Sequence, residues 1–406
     1  MNYTPLKDVL ESWDAGAWGE PADPSTGVSV LRSTNFRSGG ELSFENQAIL
    51  SIDERTYQKK KLYLGDLLLE RSGGGPLQPV GRVAGFWETD ERKKFICGNF
   101  ISRLVPKRSV VDPLYLMYSL SFWHVRGDTE KYQTATTGIR NLQMKQYLEH
   151  ELHVPNIEEQ HLIAARLKAQ LAEVETARQA AQVQVRDADL LCTALIDAAF
   201  AECNQWQPIG AVAKVQSGYA FKSEDFTSSG IRLLRNTNIL PGKVYWDDVV
   251  CIDERESWRY PSYALEAGDI LISLDRPLIS SGIKVARVRA NDLPALLLQR
   301  VGRFLLKPGL IDPDFLYAFL QSSYFIQAIS GHDQSLGVPH ISPGQVEAVM
   351  LPLLLLDEQR NIASRLKTQL AEAAAIAQAA AAQLAEIERL PQKLLAQAFT
   401  PQGETE

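Results

Sequence analysis

The sequence predicts an α+β fold written twice: a tandem repeat of two mixed α/β domains, each followed by a long helix. Two observations carry this. The stretch EEQHLIAARLKAQLAE at 158–173 returns as DEQRNIASRLKTQLAE at 357–372, 199 positions later. Shorter landmarks recur in the same order: LRSTNF at 31 with LRNTNI at 234, IDER at 52 and 252, LGDLLLE at 64 with AGDILIS at 267, VDPLYL at 111 with IDPDFL at 311. All offsets lie between 199 and 203. One period kept in one order marks a duplication. The expected organisation is a mixed domain at 1–154, a helical region at 155–204, a second mixed domain at 205–351 and a second helical region at 352–406. The helices agree closely, whereas the mixed domains agree only at landmarks. That pattern suits two equal docking surfaces and two unlike reading surfaces.

Each element has a local reason. LGDLLLE and AGDILIS read as a Gly-Asp turn feeding a β-rich run. The segments beginning Asp112-Pro113 and Asp312-Pro313 read as helix starts, with Asp as N-cap and Pro at the first helical position. Pro155 and Pro352 end extended segments, and the acidic pairs Glu158 with Glu159 and Asp357 with Glu358 complement the positive ends of the helix dipoles. Pro155 lies four residues before Glu159 and Pro352 six before Glu358, which predicts a tighter first junction. Leu171, Val174, Arg178, Ala181, Val185 and Ala188 follow the 3-4 spacing of a coiled-coil seam, and Leu370, Ala373, Ala377, Ala380, Leu384 and Ile387 repeat its phase. At about 1.5 Å per residue the first helix spans roughly 60 Å. Pro391 is expected to kink or interrupt the second.

Composition limits the function classes. With 45% hydrophobic and 22% charged residues the chain is globular in character. Met1 to Gly16 holds no apolar run fit for a signal peptide, and no stretch is apolar enough to span a bilayer, so a cytoplasmic location is expected. Cys97, Cys192, Cys203 and Cys251 form no C-x-x-C pair and read as buried free thiols. The net charge of −7 sits mainly on the helical regions, leaving room for basic faces on the mixed domains.

Catalytic motifs are missing: the sequence has no phosphate-binding loop, dinucleotide fingerprint, H-E-x-x-H or G-x-S-x-G. Asp112-Pro113-Leu114-Tyr115 lacks the second proline of an adenine methyltransferase motif and is read as a helix cap. His150 and His153 lack a third ligand nearby, so no metal, cofactor or catalytic residue is expected. Glu91-Arg92-Lys93 has the E-x-K spacing of some nucleases but no placed upstream carboxylate.

What remains suits a nucleic-acid surface. Arg32, Thr34, Asn35 and Arg37 in the first half, and Arg235, Asn236, Thr237 and Asn238 in the second, end a predicted strand. Arg can bond guanine O6/N7 and Asn adenine N6/N7. SGYAFKS at 217–223 adds Tyr219, Phe221 and Lys222, and the loops RSGGGP at 71–76 and SLDRPLISSG at 273–282 add Arg71 and Arg276. QKKK at 58–61 and ERKK at 91–94, the latter with Lys93 and Lys94, have the charge to meet phosphates. The alternative for each is structural: lysine runs solvate faces, and repeated landmarks stabilise a shared fold.

The layout of mixed domain, P…EEQ boundary, IAARLK…QLAE helix, second domain, P…DEQ boundary, IASRLK…QLAE helix and terminal LLAQAF resembles the specificity subunit (HsdS) of type I restriction-modification systems. The resemblance covers nearly the whole chain. It implies two target recognition domains, each reading one half of a split site on double-stranded DNA, and two helices packed as an antiparallel coiled coil. It further implies that these helices dock two adenine methyltransferase (modification) subunits, with a restriction/translocase subunit joining the complex. The matched boundary residues Glu159, Gln160 and Arg166, and Glu358, Gln359 and Arg365, are the partner-binding candidates. The chain is then a non-catalytic reader. The rival reading is a coiled-coil scaffold without DNA binding, which leaves two loop-rich domains without a task.

Overall fold

The computed structural model describes residues 3–75, 78–90, 92–136, 138–330 and 340–400. Pro76 and Glu91, which end and begin two of the loops singled out above, lie outside them. Contacts divide the chain into two units. One joins Met1–Gln182 to Gln383–Glu406, and the other is Val183–Ala382.

In the first unit the central sheet is antiparallel, in the order Leu10–Ala15, Ile101–Pro106, Leu67–Glu70, Val83–Gly85. A second sheet pairs Val28–Leu31 in parallel with Phe95–Cys97. Tyr3–Pro5 pairs with Glu151–His153 and so ties the start of the domain to its end. The second unit repeats this frame. Its central sheet runs Ala213–Ser217, Val301–Leu306, Ile270–Ser273, Val285–Arg287, its parallel pair is Ile231–Leu234 with Ala295–Leu297, and Trp206–Pro208 closes on Met350–Pro352. The α+β expectation therefore holds in both halves.

The Gly-Asp landmarks do the same work twice. Asp66 accepts the Tyr63 N–H at 2.8 Å, closing the turn, and bridges buried Arg103 on the neighbouring strand at 2.6 Å. Asp269 accepts the Glu266 N–H at 2.9 Å and bridges Arg303 at 3.3 Å. Burial pushes the Asp66 carboxyl above its ordinary range despite the guanidinium beside it. The Asp-Pro segments start the helices Pro113–Val125 and Pro313–Phe319, with Asp112 and Asp312 as N-caps.

The central helix is Ile157–Phe200 and the C-terminal helix Leu356–Phe399. All twelve seam residues named above are buried or half-buried in otherwise exposed turns, with Ala181 at 3% and Ala373 at 1% exposure. In the first unit the end of the C-terminal helix packs beside the start of the central helix, Leu395 sharing a core with Ala164 and Leu167. In the second unit Ile196 and Phe200 share a core with Ala363 and Leu366. Start meets end in each unit, which makes the pairing antiparallel.

Two junction expectations are corrected. The C-terminal helix continues through Pro391, which lies inside it. The missing N–H forfeits one bond to the carbonyl of Ile387, but Leu394, Leu395 and Phe399 beyond it are packed in the first domain, and that burial holds the last turns. Nor is the first junction tighter. Three residues separate His153 from Ile157, and three separate Pro352 from Leu356. Pro155 sits in its linker while Pro352 closes its strand, so the proline offset reflects placement, not length.

Candidate nucleic-acid interface

The repeated LR-x-TN landmark builds the same clasp in both domains. Asn35 accepts the Arg32 N–H through Oδ1 at 2.9 Å and donates through Nδ2 to the carbonyls of Ser43 and Glu45 at 3.1 and 3.0 Å. Asn238 accepts from Arg235 N–H at 3.1 Å and donates to Tyr245 and Asp248 carbonyls at 3.1 and 3.2 Å. Both asparagines are 1% exposed. The expectation that they read adenine is therefore corrected: their amides are spent on the fold. Arg32 Nη2 donates to the Asn46 carbonyl at 2.8 Å, and Arg235 Nη2 to the carbonyl and carboxylate of Asp248 at 2.6 and 2.7 Å. Arg37 turns back onto the carbonyls of Thr34 and Phe36.

Other predicted residues divide by exposure. Phe221 is 7% exposed, packed edge-on against Tyr219 and Tyr260, and is a core residue instead of a base contact. Tyr219 is 39% exposed. Lys222 pairs with Glu224 at 3.2 Å and Lys93 with Glu88 at 2.8 Å, surface pairs that hold a side chain only weakly. Lys94 Nζ sits over the Tyr57 ring, 5.3 Å from its centroid. Thr34, Thr237 and Arg276 are exposed, and Arg71 and Asn236 half-buried. His150 packs against Trp123 and meets Tyr132 Oη at 2.7 Å; burial lowers its pKa to about 4. Among the described residues no cluster of His, Cys, Asp and Glu is arranged to hold a metal. All four cysteines are free, Cys97 and Cys251 buried and Cys192 and Cys203 half-buried.

Of the partner candidates, Glu159, Arg166, Glu358 and Arg365 are exposed on the helices. Gln160 and Gln359 are 0% and 1% exposed and bind their own domains. Gln160 accepts the Asp112 N–H at 2.9 Å and donates to the carbonyls of Val110 and Pro155. Gln359 accepts from Asp312 N–H at 2.8 Å and donates to Leu310 and Leu354. Their assignment to a partner is corrected: each bolts a helix start to the turn before the Asp-Pro helix.

The domains share the central sheet and the parallel strand pair, and on that shared frame one turn differs sharply in character. In the first, Gly16 lies against the Cys97 carbonyl, where an added Cβ would come within 2.1 Å; Gly218 stands likewise against Leu298, at 2.2 Å. Arg71 N–H donates to the Phe100 carbonyl at 2.9 Å, as Leu274 N–H donates to the Arg300 carbonyl at 2.8 Å. Phe100 and Arg300 are thus equivalent. Phe100 is 53% exposed and, with Trp18 (51%), Arg32, Ser33, Thr34, Gly98, Asn99 and Ile101, lines a cavity of about 320 Å³. In the second domain the place is cationic. Asp275, 5% exposed, is clamped between the Arg300 guanidinium and His340 Nδ1, the latter at 2.7 Å, with Arg276 next in sequence. Burial opposes ionisation of Asp275, but the bonds from Arg300 and His340 outweigh it and hold the carboxyl below its ordinary range. Lys284, also buried, feels this charge, although burial pushes its pKa down. Arg276 (φ 44°) and Arg300 (φ 69°) are two of the three non-glycine residues with left-handed backbone among the described residues. Such a conformation costs about 1–3 kcal/mol each and concentrates at functional sites.

Comparison with known proteins agrees with this architecture. A family model described as the type I restriction modification DNA specificity domain matches residues 204–388. The MjaVIII type I restriction enzyme specificity subunit of Methanocaldococcus jannaschii is 31% identical over 294 residues, 68% of this chain and 68% of that protein. The chain belongs to the type I specificity subunits. The EcoAI specificity subunit of Escherichia coli is 46% identical over 162 residues, 40% of this chain, a match that spans 27% of the length of the EcoAI protein. Among solved structures, a chain from work on complex assembly and conformational transition of the type I restriction-modification system matches with TM-score 0.76 at 16% identity, covering 98% of this chain and 97% of that one. The HsdS subunit from Thermoanaerobacter tengcongensis matches with TM-score 0.61 at 17% identity, covering 98% and 96%. At those identities the structural likeness speaks to fold: two mixed domains and two long helices. Of this cationic cluster the sequence patterns point to Arg276 but not to Arg300, Asp275 or His340. The signal available was the register of CGNFIS with LLQRVG, which sets Arg300 against Phe100.

Proposed function

We propose that this specificity subunit is the non-catalytic DNA reader of a type I restriction-modification complex, with residues 1–154 and 205–351 as target recognition domains that each read one half of a bipartite site. The regions 155–204 and 352–406 act as the spacer that sets the distance between the halves. What carries this reading is one frame bearing two surfaces. The Asp–Arg bridges, the asparagine clasps and the strand order are shared, while the equivalent turn bears Phe100 in one domain and Arg300 in the other. Stability alone gives no reason for this shared frame to carry an exposed aromatic at the turn in one domain and an anchored arginine in the other.

The helices support the partner half of the proposal. Glu159 and Arg166 recur as Glu358 and Arg365, exposed at matched helical positions. Two like surfaces suit two copies of one partner, here the adenine methyltransferase subunit, with a restriction/translocase subunit completing the assembly. Partners that embrace the duplex would supply phosphate attraction that a chain of charge −7 lacks. No described helix is long and apolar enough to cross a membrane, and the reader would meet chromosomal DNA in the cytoplasm.

The test is a domain exchange. Residues 205–351 are replaced by the corresponding domain of another specificity subunit, the chimaera is expressed with its modification partner, and methylated adenines are mapped by sequencing. One half of the methylated motif should change and the other should persist. Change in both halves, or in neither, overturns the modular reading.

A further inference from the structure

We infer that Arg300, positioned by Asp275, reads a guanine in the half-site of the second domain, and that the first domain has no counterpart for this contact. The inference rests on the function proposed above and adds a residue, a base and a half-site to it.

Four observations converge. Arg300 occupies a turn of the shared frame at which the two domains differ in character, its carbonyl held by Leu274 N–H as that of Phe100 is by Arg71 N–H. Its backbone is left-handed at φ 69° without being glycine, so the turn keeps an arginine where glycine would be relaxed. Its side chain is 59% exposed although its carboxylate partner is 7% exposed, so the guanidinium is anchored at one edge and open at the other. Anchoring removes much of the rotamer freedom a free arginine would lose on contact, and the open edge presents the fork of donors that matches guanine O6 and N7. Asp275 itself is fixed from the far side by His340 Nδ1 at 2.7 Å and by Ser273 Oγ, which donates to its carbonyl at 2.6 Å.

The first domain lacks each part. Phe100 replaces the arginine, and Ser72 stands where the second has Asp275, its Oγ bonded to Asn141 at 2.6 Å. An aromatic edge cannot donate to O6 and N7. Asp275 is a positioning residue here, because it touches Arg300 and not the base. Arg276 and Lys284, on the same cluster, add positive charge without a second fork anchored in this way.

The full chain is co-expressed with its modification partner, and the methylated motif is determined for wild type, Arg300→Ala, Arg300→Lys and Asp275→Asn. The wild-type half-site assigned to residues 205–351 by the domain exchange should contain a guanine that becomes degenerate in Arg300→Ala. Methylation at sites with another base there should rise on the order of ten-fold or more relative to the guanine site. Arg300→Lys should not restore the preference, and Asp275→Asn should relax the same position partially. The other half-site should stay intact in all variants, which also reports that they fold. A motif unchanged in Arg300→Ala overturns the inference. So does a uniform loss over all sites with a shallower salt dependence, since that is the mark of a phosphate contact. Loss of all methylation in every variant would assign the cluster to folding and overturn it too. Absence of any bipartite motif in wild type would instead sink the proposed function, and this contact with it.

Discussion

An asparagine amide that gives its two hydrogens to two carbonyls and its oxygen to an N–H, at 1% exposure, has no donor left for a base and no open face to offer one. That is the state of Asn35 and Asn238, and it explains why the landmark containing them survives in both domains while the surfaces around it differ. Replacing Asn238 by Ala strands the Arg235 N–H and the Tyr245 carbonyl, and leaves the Asp248 carbonyl with the Arg235 guanidinium alone. Urea unfolding should show a loss of about 1–3 kcal/mol, against less than about 0.5 kcal/mol for exposed Thr237→Ala. A loss no larger than that of Thr237→Ala would remove the clasp from the stability of the domain. Residue chemistry was legible from sequence, but residue exposure was not. Arg, Asn and Gln have the donors to read a base or bind a partner, and the same donors satisfy buried backbone when the chain folds over them, as at Gln160 and Gln359.

The two long helices could be read from periodicity because a 3-4 repeat of small and apolar residues has few other uses. Their buried stripes follow the predicted seam at every named position. What periodicity does not carry is the domain that each helix end completes. Phe399 packs against Tyr115 at 5.4 Å and Phe122 at 5.8 Å in the first domain. Phe200 packs against Phe315 at 5.4 Å and Phe319 at 5.5 Å in the second, where Asp197 also accepts the Ser323 N–H at 2.8 Å. Each domain is thus finished by a helix end that is not its own continuation. Phe200→Ala should cost about 3–5 kcal/mol and raise amide exchange in residues 205–351. Phe399→Ala, at a half-buried site, should cost less and loosen residues 3–154, although the second domain is its nearer neighbour in sequence. Exchange rising in the opposite domain in either variant would contradict this packing.

At the scale of the whole molecule, a duplicated chain whose units each hold part of both helices has a consequence for the proposed DNA site. If the helices form the spacer, inserting one heptad at matched seam positions of both lengthens it by about 10 Å, or roughly three base pairs at 3.4 Å each. The methylated motif should then gain about three unread positions with both half-sites preserved. An unchanged interval would leave the helices as docking elements only.

Duplication, element order, seam and family likeness were all readable in the linear chain, because repetition and periodicity are properties of residue order. The roles of Asn35, Asn238, Gln160 and Gln359, the continuous helix through Pro391, and the Arg300–Asp275–His340 cluster came only with the folded chain. These depend on which residues, distant in sequence, meet across a turn or a core. Burial and partner geometry, not residue type, decide whether a polar side chain holds the fold or faces a ligand.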